Sequence, residues 1–118
     1  MAWTAKDSLN PPKAADRLVN ETGIRLSNGA CVLYRVVLRC LVVDSVDGYT
    51  LLNIEDHTAD ATGVTVVTVP FQAAGDVVEL RFRSGLPFAT GLGMDITSGT
   101  GTDGVVMIDK FYAQKKQA

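Results

Sequence analysis

From residue 22 onward apolar and polar positions alternate with a period of two, and no stretch carries a sustained 3.6-residue period. Gly23-Ile24-Arg25-Leu26 alternates and stops at Ser27-Asn28-Gly29. Between Cys31 and Asp44 the residues separate by parity. Val32, Tyr34, Val36, Leu38, Cys40 and Val42 fall on the even face, and Arg35 and Arg39 on the odd face. The even face is predicted to enter the core. A strand of this length bends or carries a bulge, so it can serve two sheets.

Asp44-Ser-Val-Asp47-Gly48 reads as a hairpin turn of the Asp-Gly kind. Strands are then predicted at Tyr49–Ile54, at the β-branched run Val64–Val69 and at Val77–Arg83. In the last, Val78, Leu80 and Phe82 point in while Glu79, Arg81 and Arg83 point out. Ser84-Gly85 turns into a short piece, Leu86–Ala89, edge-like because Pro87 has no N–H to give a ladder. Leu92–Thr97 and Val105–Tyr112 complete the set, the latter entered from a turn ending in Asp103-Gly104. Seven or eight short strands with turns between them predict an all-β fold: a two-sheet antiparallel sandwich, jelly-roll or immunoglobulin-like.

Asn10-Pro11-Pro12 interrupts regular pairing, so residues 1–16 are expected to form an extended arm. Trp3, the single tryptophan, lies there and suits an aromatic anchor, on its own domain or on a neighbour. The division expected is arm 1–16, sandwich 17–113 and polar tail 114–118. The chain has 118 residues, one domain's worth, long enough to bury about two thirds of its unfolded surface without metals or disulfides. No apolar run is long enough to span a membrane, and the polar start lacks the apolar core of a secretory signal.

Charge and chemistry narrow the function. A net charge of −2 argues against nucleic acid as a partner. Cys31 and Cys40, nine residues apart on one strand, are separated by about 30 Å if fully extended and fall on opposite faces by parity, so they do not pair with each other. Two reduced thiols are expected. His57, the single histidine, sits in a polar stretch with Asp56 and Asp60. Beside carboxylates it offers a metal ligand or a general base, but a catalytic zinc needs three protein ligands, and a solvated loop histidine is the simpler reading. Ser98-Gly-Thr-Gly-Thr-Asp103-Gly104 matches one calcium nonapeptide without the stacked copies such sites need. No nucleophile elbow, zinc-protease or phosphate-loop motif occurs, so no catalytic residue, cofactor or metal is assigned and the protein is not expected to be an enzyme.

Arg25, Arg35, Arg39, Arg81 and Arg83 all fall on outward strand positions. They predict a basic docking face for a protein partner. The competing expectation is a solvated face on which Glu79, Glu55 and Asp44 pair with them across strands.

The order Val64–Val69, Pro70-Phe71-Gln72-Ala73-Ala74-Gly75, Val77-Val78-Glu79-Leu80-Arg81-Phe82, Gly85-Leu86-Pro87-Phe88-Ala89-Thr90-Gly91-Leu92 and Met94-Asp95-Ile96-Thr97 resembles small tailed-bacteriophage virion proteins of the head decoration or capsid cement type. The resemblance covers about residues 30–110. It implies a β-sandwich made in the host cytoplasm and carried on the virion. There it would be a homotrimer on the outer capsid surface that binds and stabilises the major capsid protein, with no catalytic residues. Trp3, Pro11 and Pro12 of the arm and Arg35, Arg39, Arg81 and Arg83 of the basic face are the expected interface. A tail or baseplate component with the same sandwich, or a carbohydrate-binding module, is the alternative.

Overall fold

The computed structural model describes residues 17–56, 64–97, 101 and 103–115. The arm residues Trp3, Pro11 and Pro12 lie outside these, as do His57 and Asp60. Eight strands are present: β1 (Leu18–Val19), β2 (Ile24–Ser27), β3 (Cys31–Val42), β4 (Thr50–Asp56), β5 (Val64–Phe71), β6 (Val77–Phe88), β7 (Leu92–Thr97) and β8 (Val105–Lys115). There is no helix among the described residues. One sheet runs β1-β8-β3-β6 and the other β2-β7-β4-β5, every pair antiparallel.

The pairs β1·β8, β2·β7, β3·β6 and β4·β5 nest like one long hairpin rolled over on itself. This is the jelly-roll winding, so of the two sandwich topologies expected the immunoglobulin-like one does not apply. The winding also corrects two turns. β3 and β4 lie in different sheets, as do β7 and β8. Asp44–Gly48 and the Gly/Thr-rich stretch therefore cross between sheets rather than closing hairpins.

The core fills from both sheets: Leu33, Val36, Leu38, Cys40, Val106, Ile108 and Phe88 from one, Leu52, Ile54, Phe71, Leu92, Met94 and Ile96 from the other. The parity predicted for β3 holds for Val36, Leu38 and Cys40, whereas Val42, also expected inward, is 40% exposed beyond a second ladder shift. The β3 ladder shifts between Leu33 and Arg35, and this bulge at Tyr34 puts Cys31 and Leu33, not Tyr34, on the core side. Both cysteines are consequently buried free thiols on one face instead of two. Burial pushes the Cys31 thiol up to about 11, against a lowering hydrogen bond with Ser27.

β6 is one strand where a strand, a turn and an edge piece were expected. Leu33 pairs with Leu86 and Arg35 with Arg81, so Phe82 to Gly85 bulge opposite Tyr34 without breaking the strand. Gly85 has φ 82°, and a Cβ there would lie 2.2 Å from Val32 Cγ1. β4 reaches Asp56 rather than Ile54, and β8 reaches Lys115, so Gln114 and Lys115 of the expected tail belong to the sheet.

Candidate protein-docking face

The outer face of the β1-β8-β3-β6 sheet gathers Arg35 and Arg39 from β3 with Arg81 and Arg83 from β6. Cross-strand register explains the first three, and the alternating exposure of β6 carries Arg83 to the same side. Arg35 pairs with Arg81 on one side and Tyr112 on the other, while Arg39 pairs with Val77 and Met107. Residues opposite each other in an antiparallel pair project to the same face. Val37, between them, faces Glu79 and Lys110. Four of the five predicted arginines therefore share one surface. Arg25 does not, since it pairs with Gly93 in the other sheet.

Arg35 and Arg81 are like charges placed opposite each other, and Glu79 lies between them in space. Its carboxylate takes the Arg35 guanidinium through Oε2 and Arg81 Nε through Oε1 at 3.1 Å. Hydrogen bonds from Arg81 and then Arg35 hold the Glu79 carboxyl below its usual range. The Arg35 guanidinium also lies over the Tyr112 ring, 5.5 Å from its centroid. Arg39 Nη2 reaches Asp109 Oδ1 at 3.2 Å and Met107 Sδ at 3.1 Å.

Of the three acids expected to pair with the arginines, Glu79 does so with Arg35 and Arg81. Glu55 projects from the opposite sheet and Asp44 is buried in a cross-over. Asp109, which the sequence did not single out, takes the second place. The bulge in β8 beside Val37 and Leu38 sets it next to Arg39. Four arginines and Lys110 then share the face with Glu79 and Asp109, so the surface is net positive. It also carries apolar area: Tyr112 is 51% exposed, Val77 58%, and Leu18 opposite Met107 44%. Arg81 stays 66% exposed despite its ion pair. Held on a rigid sheet, aromatic, aliphatic and guanidinium groups make a surface suited to acidic protein patches.

Two polar clusters elsewhere have structural work. Asp56 accepts from Ala89 N at 2.9 Å, Thr90 N at 3.0 Å, Thr90 Oγ1 at 2.7 Å and Gly91 N at 3.2 Å. Burial raises its pKa, but these donors outweigh burial and the net shift is downward. Asp56 thus binds the β6–β7 turn. On the outer face of the second sheet, Asn53 Nδ2 donates to Asp95 Oδ1 at 2.9 Å and Thr97 Oγ1 at 3.0 Å, and Asn53 Oδ1 accepts from Thr68 Oγ1 at 3.0 Å. Glu55 beside them is only 8% exposed. Burial, with the hydrogen bond and the negative charge of Asp95, pushes it up to about 7. The expected strand stops at Ile54, one residue short of Glu55; the extra length of β4 is what buries it. Among the described residues no group of three or more His, Cys, Asp or Glu side chains is arranged to hold a metal ion. No protein-family model matches the chain, and no curated protein matches it.

Proposed function

We propose that the protein is a non-enzymatic structural subunit of a tailed-phage virion that binds the outer surface of the capsid and stabilises it. The observation that supports this reading is the net-positive outer face carrying Arg35, Arg39, Arg81, Arg83 and Tyr112. A capsid-binding subunit needs a stiff, pre-formed surface. Arginines held by ladder partners dock without a large ordering cost. The partner is the major capsid protein, met through an acidic patch on its exterior, and the subunit is a homotrimer on the virion.

The test is co-sedimentation with shells assembled from the major capsid protein of the same phage. Wild-type protein is expected in the pellet, and Arg81→Glu together with Arg83→Glu in the supernatant, with unchanged circular dichroism. Wild-type protein that stays in the supernatant overturns the reading. Binding to immobilised glycans in that case favours the carbohydrate-binding alternative.

A further inference from the structure

β6 closes its sheet on one side, and among the described residues its outer edge pairs with nothing. Which of its backbone groups face outward follows from the ladder. Cys40 N donates to Asp76 O at 2.9 Å, and Gly75 N donates to Cys40 O at 2.7 Å. Antiparallel bonding alternates from there, so Val78, Leu80 and Phe82 exchange bonds with β3. The N–H and C=O groups of Val77, Glu79 and Arg81 point away from the sheet. Beyond Arg81 the strand bulges, Gly85 turns at φ 82° and Pro87 lacks an N–H, so the regular open edge is residues 77–81.

The geometry points to a second copy of this chain as the occupant: β6 pairs with β6 of the partner about a twofold axis through Leu80, joining two four-stranded sheets into one of eight strands. Charge selects that register. Hydrogen-bonded pairs must join odd residues to odd residues. An axis at Leu80 sets Glu79 opposite the partner's Arg81 twice, with no like charges facing. An axis at Glu79 sets Glu79 against its own copy, and an axis at Arg81 sets Arg81 against its own copy. Inward, Val78, Leu80 and Phe82 are only half-buried against the core, and neighbouring copies of the same residues complete their cover. Charges on an edge are also a way to keep an edge single, but here they complement a second copy instead of opposing it.

This contact stands apart from the capsid reading and forms in solution without shells. Sedimentation equilibrium over a concentration series is expected to give an even number of copies: two, or six if a trimer forms through another surface. A wild-type monomer or trimer overturns the proposal. Glu79→Arg and Arg81→Glu each set like charges opposite across the axis, so each alone is expected to lose the even state. Mixed in equal amounts they give only opposite charges across it and are expected to regain it. Folded single variants that associate like wild type, or that stay apart when mixed, overturn the proposal. If a charge variant fails to fold, Leu80→Cys reads the same axis. Its two copies form a non-hydrogen-bonded pair with Cα atoms about 4.5 Å apart, within disulfide reach. A covalent dimer on a non-reducing gel supports the register, and its absence under oxidation overturns it.

Discussion

Gly101 lies directly against the buried carboxylate of Asp44: a Cβ at position 101 would sit 1.7 Å from Asp44 Oδ1. The contact locks the β3–β4 cross-over to the β7–β8 cross-over. Asp44 Oδ1 accepts from Val46 N at 2.9 Å and Asp47 N at 3.1 Å, and Oδ2 accepts from Asp103 N at 3.3 Å. Asp47 Oδ2 accepts from Gly101 N at 3.0 Å, and Asp103 accepts from Ser45 N and Oγ at 3.0 and 2.8 Å. Asp103 of the stretch that resembles a calcium loop, with Asp44 and Asp47 of the other connection, thus satisfies backbone N–H groups across the two cross-overs. Gly101→Ala is expected to lower stability by about 1–3 kcal/mol, as overpacking does, and thermal unfolding reads it. An unchanged midpoint contradicts the close approach.

Asp56 gives a second prediction, with a sign that pH reveals. Its donors depress the folded-state pKa below the ordinary 3.8. Its stabilising contribution is therefore complete above about that value and is lost as pH falls through the lower folded pKa. Asp56→Asn keeps one acceptor oxygen but not the charge. We expect a loss of about 1 kcal/mol at pH 7, shrinking toward zero in strong acid. Urea unfolding at neutral and at acidic pH measures both ends, and a loss that persists undiminished in acid contradicts the assignment.

The fold was legible because strand patterning has a period of two, and Leu52, Ile54, Met94, Ile96, Val106 and Ile108 follow it without interruption. What escaped was set by bulges and by the choice of sheet. An extra residue at Tyr34 exchanges the faces of β3, and parity counting cannot register it. An Asp-Gly turn reads the same whether it closes a hairpin or crosses between sheets, so Asp44 passed for a surface acid. The basic face was visible through Arg35, Arg39 and Arg81, whose positions lie on the unbulged parts of β3 and β6, and through Arg83, which stays exposed in the β6 bulge. Asp109 was not, because a bulge in β8 aims it.

Asn53 separates a structural network from a decorative one. It is 9% exposed and makes three side-chain hydrogen bonds on the outer face of the second sheet. In Asn53→Asp the donor to Asp95 becomes a carboxylate, so acceptor faces acceptor beside Glu55. The expected loss at pH 7 is about 1–3 kcal/mol, the cost of a buried polar group left unsatisfied. Part of it returns below pH 5 as carboxyls protonate. A variant as stable as wild type at pH 7 shows that Asp95 is solvated instead of bonded to Asn53.

Glu55 titrates in the opposite sense to Asp56, and this gives the cleanest pH signature in the molecule. Its folded pKa is raised to about 7 from 4.5 by burial first and by Asp95 second. A carboxyl with a raised folded pKa holds its proton more tightly when folded. Its contribution is complete below about pH 4.5 and is withdrawn as pH rises to about 7, after which the curve is flat. Glu55→Gln removes the charge but keeps the size. We expect it to be more stable than wild type at pH 8, nearly equal at pH 4.5, and to lack the decline between. A gain of about 1 kcal/mol moves the midpoint of a domain of this size by about 3–5 °C, within reach of scanning calorimetry. Parallel curves for the two proteins from pH 4.5 to 8 rule out a buried, proton-holding Glu55.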